Sequence, residues 1–240
     1  MGCLRQMLGI VMVLVGVAVV RGGEPATQPT TQPVTVIPVA NDMPRHEHNL
    51  QRIQHGPIGV MFMGDSITWG WGHHPELWDK TFGRYNPANF GIPGDRTQNV
   101  LWRINHGELD GYQARVIVLM IGTNNTGDPP RDIILGVREI VRIMHQKQPR
   151  AMILLMAALP RQHEPGKTRH EVEQFNAELS KLSDDPMVRY VDIGRHFVGE
   201  DGMISKEMMY DYLHLTEKGY QIWAQKMGPI LQQMMQMEDK

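Results

Sequence analysis

Short apolar runs alternate with amphipathic stretches along most of this chain. Five runs have the length of buried strands, and they are residues 58–63, 88–90, 116–121, 151–158 and 188–193. The third and fourth runs are continuously apolar, which is typical of strands that are covered on both faces. Strands that alternate with helical patterns indicate an α/β domain in which helices cover both faces of a parallel sheet.

The helices are predicted from apolar residues that recur at helical spacing. One helix is predicted over residues 133–144, a second over residues 172–182 and a last one over residues 215–227. The segment Thr168-Arg169-His170-Glu171 has the pattern of a capping box at the start of the second helix. Gly228-Pro229 is expected to end or kink the last helix.

The first 23 residues predict a signal peptide rather than a part of the fold. Residues 8–20 form an apolar core that is too short for a comfortable membrane span, and Arg5 precedes it. An uncleaved N-terminal anchor is the alternative. The single cysteine, Cys3, lies within this segment, so the mature chain is expected to have no disulfide, no thiol chemistry and no cysteine metal site.

Residues 24–40 are rich in threonine, glutamine and proline, which predicts a flexible linker. The folded domain is therefore expected over residues 41–240, a length that allows one substantial core. The net charge is −2 and no basic stripe is present, which argues against nucleic acid as a partner. No polybasic patch is present either, and no stable membrane span is expected once the signal has been cleaved.

Three short polar segments each follow a predicted strand. They are residues 64–66 (Gly-Asp-Ser), 91–95 (Gly-Ile-Pro-Gly-Asp) and 122–125 (Gly-Thr-Asn-Asn). Ligands of parallel α/β sheets bind beyond the carboxyl ends of the strands. The three segments are therefore expected at one edge of the sheet and in a single site.

A serine, a carboxylate and a histidine occur in the order Ser66, Asp211, His214. A serine hydroxyl is a poor nucleophile unless a base removes its proton, and that base is usually a histidine held in one tautomer by a carboxylate. Asp211 and His214 are three residues apart in a turn that enters a helix, so their side chains can project to the same side. The combination predicts a serine esterase.

Three groups are candidate oxyanion donors: the backbone N–H of Ser66, the backbone N–H of Gly94 and the side-chain amide of Asn124. Each residue has a plainer alternative, which is a helix cap for Ser66, an ordinary turn for Gly94 and a turn asparagine bonded to its own backbone for Asn124. The segment is not the Gly-x-Ser-x-Gly elbow of the α/β-hydrolases, because Thr68 stands where that motif has glycine.

The other histidines do not combine carboxylate spacing with a strand end, and we interpret them as surface or locally bonded side chains. They are His46, His48, His55, His73, His74, His106, His145, His163, His170 and His196. The pair His73-His74 is the strongest exception because it closely follows Ser66, but adjacent histidines alone are weak evidence for a metal. We therefore expect neither a metal nor a cofactor.

Taken in order, four blocks resemble the SGNH (GDSL-type) hydrolase family. They are Gly64-Asp65-Ser66, Gly94, Gly122-Thr123-Asn124 and Asp211-Tyr212-Leu213-His214. More narrowly, residues 89–95, 100–103, 107–109 and 210–215 are similar to the catalytic subunits of intracellular platelet-activating factor acetylhydrolase. The resemblance covers nearly the whole chain after the expected linker.

The resemblance implies a flavodoxin-like three-layer α/β/α sandwich with a five-stranded parallel sheet, and ester hydrolysis without a metal. It implies that Ser66 is the nucleophile, that His214 is the base and that Asp211 orients His214. It also implies an oxyanion hole formed by the N–H groups of Ser66 and Gly94 and the side chain of Asn124.

Two features depart from that resemblance. Pro93 stands where the acetylhydrolases usually have glycine, and proline removes one N–H from the oxyanion loop, so a slightly different oxyanion geometry is expected. The predicted export signal differs from the intracellular location of the animal enzymes, which makes their phospholipid substrate doubtful for this chain.

The leading hypothesis is an exported carboxylic-ester hydrolase that removes short acyl groups, above all acetyl, from a small-molecule or carbohydrate ester. Trp69 and Trp71 are candidates for stacking on a sugar or lining an acyl pocket, with packing as the alternative. Ile67 and Leu213 are candidate walls of that pocket or, equally, core residues. The alternative functions are a lysophospholipase or thioesterase, and a catalytically silent carbohydrate-binding module. The oligomeric state stays open, with a homodimer among the alternatives.

Overall fold

A five-stranded parallel sheet forms the centre of the domain in the computed structural model, which describes residues 32–237. The strands are β1 (Val60–Gly64), β2 (Pro87–Gly91), β3 (Val116–Met120), β4 (Met152–Met156) and β5 (Val188–Val191). Their spatial order is β2-β1-β3-β4-β5, and all four pairs are parallel. Each strand overlaps one of the five predicted runs, so the predicted sheet is confirmed. The expected signal peptide and residues 24–31 of the expected linker lie outside the described residues.

Seven α-helices flank the sheet within residues 32–237. One face carries α1 (Met43–Gln54), α4 (Thr97–Asn105), α5 (Pro130–Lys147) and α6 (Lys167–Leu179); the other carries α2 (Ser66–Trp69), α3 (Pro75–Phe82) and α7 (Glu217–Gln236). Single turns of 3-10 helix lie at Val34–Val36, Gly70–His73, Gly83–Tyr85, Thr123–Asn125, Ser180–Asp184 and Gly194–Phe197. In the part of the chain that is described, no helix combines the length and the apolar character needed to cross a membrane.

Side chains along each strand alternate between the two faces of the sheet, and they contribute to two core clusters, one on each face. Met61 and Met63 of β1 pack into the cluster beneath α4 and α5, whereas Val60 and Phe62 pack into the cluster beneath α3 and α7. Successive side chains of a strand point to opposite faces, so one short apolar run supplies both clusters. The three-layer α/β/α architecture is confirmed, and its strand order is that of flavodoxin-like folds.

Helix α6 begins one residue before the predicted capping box. Its first residue is Lys167, and Gly166 occupies the N-cap position without a side-chain hydrogen bond. The prediction that Thr168 caps this helix is therefore wrong, because Thr168 already lies in the first turn. A capping-box sequence is a local signal, and here the chain enters the helix earlier than that signal indicates.

Helix α7 continues through Gly228 and Pro229 to Gln236, so it does not end at this pair, and the alternative of a kink there stays a prediction. A proline inside a helix costs about 3 kcal/mol because it removes a hydrogen bond and crowds the preceding turn. The helix buries Met227, Leu231 and Met234 around this point. Burial of one such side chain contributes about 1.5–3 kcal/mol, so together they offset the cost of the proline.

Residues 32–40, the described part of the expected linker, pack against the domain, contrary to the expectation that they are a flexible linker. Thr35 is buried, its hydroxyl donates to the carbonyl of Asp132 (2.6 Å), and its own carbonyl accepts a hydrogen bond from the Thr97 hydroxyl (3.0 Å). Further along, the N–H of Val39 donates to the carbonyl of Gln98 (3.1 Å). The folded domain therefore begins before its expected boundary, because these polar contacts order a segment whose side chains Val34, Ile37 and Val39 remain exposed.

Trp71 and Ile67 are core residues, so their interpretation as walls of a substrate pocket is wrong. Each is only 1% exposed. The Trp71 ring lies 4.7 Å from the ring of Tyr220 and 5.5 Å from that of Trp223 (centroid to centroid), both on α7. Through these ring contacts, Trp71 packs the segment that follows α2 against α7.

We expect Trp71→Ala to destabilise the fold by about 3–5 kcal/mol, the usual cost of removing a large buried aromatic side chain. Urea unfolding followed by circular dichroism measures the change. Trp69→Ala is the matched control, and it is expected to cost less because Trp69 is partly exposed. A Trp71→Ala variant of unchanged stability but altered ester preference would instead support the pocket interpretation.

Candidate active site

Ser66 is the first residue of α2, directly beyond the carboxyl end of β1. Asp65 is the N-cap of this helix, since its carboxylate accepts the N–H of Ile67 (2.9 Å) and its carbonyl accepts the N–H of Trp69 (2.9 Å). Asp65, and not Ser66, is therefore the cap of this helix, so the alternative interpretation of Ser66 as a helix cap is wrong. The first N–H groups of a helix have no intrahelical acceptor, and the Ser66 N–H has none among residues 32–237.

His214 links Ser66 to Asp211. Its Nε2 lies 2.9 Å from the Oγ of Ser66, and its Nδ1 lies 2.7 Å from Oδ2 of Asp211. Ser66 and His214 are 148 residues apart in sequence. The three residues predicted as a triad are thus brought together, with one ring nitrogen toward the hydroxyl and the other toward the carboxylate.

A tight turn sets the direction of the Asp211 carboxylate. Its Oδ1 accepts the backbone N–H groups of Leu213 (3.1 Å) and His214 (2.7 Å), and Tyr212, directly after Asp211, adopts a left-handed φ of 63°. Partial burial acts to raise the pKa of Asp211, but hydrogen bonds from the side chain and backbone of His214 outweigh it and lower the pKa. Asp211 is therefore ionised at neutral pH and holds the imidazole in one orientation.

The loop that carries Gly94 is a tight turn over residues 92–95. The N–H of Asp95 donates to the carbonyl of Ile92 (3.2 Å), and Gly94 has a φ of 79°. Proline at the second position and glycine at the third position are typical of a type II turn. The N–H that Pro93 lacks is not used in such a turn, so proline is compatible with it. The N–H of Gly94 has no acceptor within the described part of the chain.

Asn124 lies in the 3-10 turn Thr123–Asn125, after the strand end of β3. Its side-chain nitrogen donates to the carbonyl of Asp95 (3.0 Å) rather than to its own backbone. This bond uses one of the two amide hydrogens and leaves the second free to donate. The alternative interpretation of Asn124 as a turn asparagine bonded to its own backbone is therefore wrong.

A cavity of about 460 Å³ borders Ser66 and His214. Its lining comprises Ser66, Trp69, Gly70, His73, His74, Pro93, Tyr210, His214, Leu215, Thr216, Glu217 and Tyr220. Of the four residues predicted to line a substrate pocket, Trp69 alone borders this cavity, and the guanidinium of Arg45 lies 4.7 Å from its ring centroid. Leu213 is half-buried and packs against the core on the α7 face.

Several lining residues were not predicted from the sequence. Tyr210 is 57% exposed, and its ring is nearly parallel to that of His214 at a centroid distance of 5.8 Å. His74 packs against the ring of Tyr220 at 4.7 Å, and burial is the main cause that lowers the pKa of His74. Two signals were available: Tyr210 directly precedes Asp211 within the block of residues 210–215, and His74 closely follows Ser66 in the sequence.

Residues 32–237 contain no group of three or more His, Cys, Asp or Glu side chains that could hold a metal ion. His73 and His74 instead border the cavity beside Ser66. The expected absence of a metal stays a prediction, which an activity assay after exhaustive EDTA treatment can test.

The GDSL-like lipase/acylhydrolase family model matches residues 62–222, which is more than half of the chain. The chain therefore belongs to this family, and it is a hydrolase of the esterase class. It is 35% identical over 196 residues to the Homo sapiens platelet-activating factor acetylhydrolase IB subunit alpha1, covering 80% of this chain and 84% of that protein. Identity to the Gallus gallus subunit alpha2 is 35% over 181 residues, covering 74% of this chain and 77% of that protein.

Solved structures share the fold at lower identity. A GDSL-like lipase from Bacteroides thetaiotaomicron aligns with a TM-score of 0.64 and 20% identity, covering 78% of this chain and 97% of that one. A variant of Axe2, an acetyl-xylooligosaccharide esterase from Geobacillus Stearmophilus, aligns with a TM-score of 0.57 and 15% identity. The alignment covers 76% of this chain and 97% of that one. These similarities support the fold alone.

Asp65 makes stability depend on pH. Burial is the main cause that raises its pKa from 3.8 to about 7; the Ile67 N–H opposes the rise, and the nearby Asp95 carboxylate adds to it. Between these pKa values the folded protein retains a proton that the unfolded chain has released. The Asp65 contribution therefore lowers stability as pH rises from about 4 to about 7.

We expect Asp65→Asn, which keeps an oxygen for the Ile67 N–H, to gain stability relative to wild type as pH rises through this window. Urea unfolding of both proteins from about pH 4 to about pH 8 measures the difference. Asp79→Asn, which changes an exposed carboxylate on α3, is the control. A stability difference between Asp65→Asn and wild type that stays constant with pH would contradict the prediction.

Proposed function

We propose that this protein is an exported serine esterase that removes short acyl groups, acetyl above all, from carbohydrate or other small esters. The observation that carries the proposal is the hydrogen-bonded series from Ser66 through His214 to Asp211, with contacts of 2.9 and 2.7 Å, at the border of an open cavity. Membership of an acylhydrolase family supports ester hydrolysis as its chemistry.

In the proposed reaction, Ser66 Oγ attacks the ester carbonyl carbon while His214 Nε2 takes the hydroxyl proton. The C–O bond to the alcohol then breaks, and His214 returns the proton to the departing alcohol. Water attacks the resulting acyl-serine with His214 again as base, which releases the carboxylic acid and restores Ser66. Asp211 stabilises the imidazolium formed in each half of the reaction.

Negative charge develops on the carbonyl oxygen in both steps. The N–H groups of Ser66 and Gly94 lack acceptors within residues 32–237, and Asn124 retains one amide hydrogen. Donors that are fixed before the reaction stabilise such a charge without reorganisation. We assign these three groups to the oxyanion hole.

The lining of the cavity favours a small acyl group and a polar alcohol. A long acyl chain needs a long apolar groove, whereas this cavity presents imidazole, carboxylate and aromatic side chains. Tyr210 and Trp69 offer ring surface of the kind that packs on sugars. A 35%-identical relative is an acetylhydrolase and one structural neighbour is an acetyl-xylooligosaccharide esterase, so acetyl and carbohydrate esters are the first substrates to test.

Export is proposed from the sequence, where a short apolar core at residues 8–20 follows Arg5. Cleavage near Gly23 would remove the signal segment, and intact-mass measurement of the exported protein would show its loss. An exported protein of full-length mass would support the alternative of a retained anchor.

We expect Ser66→Ala to lower kcat by at least about 10³-fold with the fold intact, because no other hydroxyl contacts His214 Nε2 within the described residues. Nitrophenyl esters of graded chain length, acetylated xylan and lysophospholipids form the substrate panel, and a fluorophosphonate probe reports labelling of the serine. Ser183→Ala, at an exposed serine of the 3-10 turn Ser180–Asp184, is the matched control.

The wild-type protein is expected to prefer acetyl esters and to be labelled by the probe, whereas Ser66→Ala is not labelled. Retention of most of the turnover by Ser66→Ala, after a contaminating esterase has been excluded, would remove Ser66 as the nucleophile. Preference for lysophospholipids would favour the lysophospholipase alternative. Absence of both labelling and turnover in the wild-type protein would favour a silent binding module.

We expect Tyr210→Ala to raise KM for an acetylated oligosaccharide by about two- to tenfold, because aromatic packing contributes about 0.5–1.5 kcal/mol. KM for nitrophenyl acetate, which has no sugar, should change less. Tyr210→Phe is the matched control, since it keeps the ring and should keep KM for both esters. An equal change of KM on both substrates would argue against a sugar contact at Tyr210.

A further inference from the structure

We propose that Arg103 is a positioning residue for the oxyanion hole and that it acts through the carboxylate of Asp95. The inference rests on the proposed function, since it concerns the loops that carry Gly94 and Asn124. Arg103 is 1% exposed on α4, and the mechanism above does not use it.

The guanidinium of Arg103 joins the ends of two strands to the oxyanion loop. Its Nη1 donates to the carbonyl of Phe90 on β2 (2.9 Å), and its Nη2 donates to the carbonyl of Gly64 at the end of β1 (3.4 Å). Its Nε lies 2.8 Å from Oδ2 of Asp95, in an ion pair. One planar cation therefore spans the strand end before Ser66, the strand end before the Gly94 turn, and the turn itself.

Asp95 contacts the surroundings of both remaining donors. Its backbone N–H closes the turn that contains Gly94 by donating to Ile92, and its carbonyl accepts the side-chain amide of Asn124 (3.0 Å). Its side chain is 0% exposed, and its Oδ1 accepts a hydrogen bond from the side-chain amide of Asn41 (2.8 Å). A shift of Asp95 therefore moves the Gly94 peptide and releases Asn124 together.

A second buried carboxylate, that of Glu108, also fixes the position of Arg103. Its Nη1 also donates to Oε2 of Glu108 (2.6 Å), and Glu108 is 0% exposed. The other oxygen of Glu108 contacts Nδ1 of His46 (2.9 Å) and accepts the side-chain amide of Asn49 (3.1 Å), both on α1. The guanidinium is thus contacted by two strand carbonyls and two buried carboxylates and has little freedom to move.

A contribution to stability does not by itself explain why Arg103, Asp95 and Glu108 are charged residues in the core. Replacement of a buried ion pair by well-packed apolar residues is often neutral or stabilising, because desolvation offsets the Coulombic gain. The fixed fork of a guanidinium, in contrast, sets distances and angles among several acceptors at once. Since a misplacement of about 1 Å can cost about 10²-fold in rate, fixed geometry at Gly94 and Asn124 has direct catalytic value.

Arg103→Lys is the test, because lysine keeps the charge but cannot reproduce the fork. We expect kcat to fall by about 10- to 100-fold while KM changes by less than about threefold, since the oxyanion forms only in the transition state. Affinity for an alkylboronic acid, which forms a tetrahedral adduct on Ser66, should fall by the same factor as kcat/KM. The pH profile should keep its shape, because Ser66, His214 and Asp211 are unchanged.

Two further variants make the result decisive. Leu231→Ala is the structural control, since Leu231 is 0% exposed on α7 and packs in the core cluster on the other face of the sheet from α4. It should lower stability and leave kcat and boronate affinity unchanged. Asn41→Ala removes an exposed partner of Asp95, so folding should be retained, and it should lower kcat by a smaller factor than Arg103→Lys. If Arg103→Lys fails to fold, Asn41→Ala decides the matter.

Wild-type kcat and boronate affinity in folded Arg103→Lys and in Asn41→Ala would overturn the inference. So would an equal loss of kcat and affinity in Leu231→Ala, since the loss would then follow stability rather than the position of Arg103. The proposed function fails separately, through an active Ser66→Ala variant, so the two failures are distinguishable.

Discussion

The parallel direction of the five strands is the constraint on which the candidate site depends. Gly64 at the end of β1 lies level with Gly91 of β2 on one side and with Met120 of β3 on the other. The three loops that follow these strands therefore start at one edge and at one height. A Cβ on Gly64 would lie 2.4 Å from the carbonyl oxygen of Met120, so only glycine permits this close approach. The same packing aligns Ser66 with the segments of Gly94 and Asn124.

Packing on the other face of the sheet brings His214 to Ser66. The turn from Asp211 to His214 forms its own internal hydrogen bonds, but these do not direct it toward the serine. Tyr220, on the first turns of α7, donates its hydroxyl to the carbonyl of Ile67 (2.7 Å), beside Ser66. Trp71 also packs on Tyr220. Together these two contacts fix the position of α7 relative to α2. Ile67 and Trp71, which the sequence offers as candidate pocket walls, thus support the site from within the core.

Buried charge is concentrated beneath the candidate oxyanion hole. Asp65 and Asp95 are buried, and burial is the main cause that raises the pKa of both carboxyl groups. Arg103 partly offsets this effect at Asp95, and its ion pair is retained despite the desolvation cost. Such groups are costly to stability and useful to geometry, which is the combination expected beside a site that must stabilise a developing negative charge.

By itself, the sequence determined the five strands, the segments that follow three of them, and the Asp211–His214 turn, because period, run length and short spacing are local properties. It did not reveal α1, whose buried residues are His46 and Asn49, polar side chains bonded to a distant Glu108. Only the tertiary structure decided that Pro229 lies within a helix and that Thr35 docks on the domain. The physical reason is the same for each: the stabilising partners are far away in the chain, and their contacts exist only after the sheet and its two helical layers have assembled.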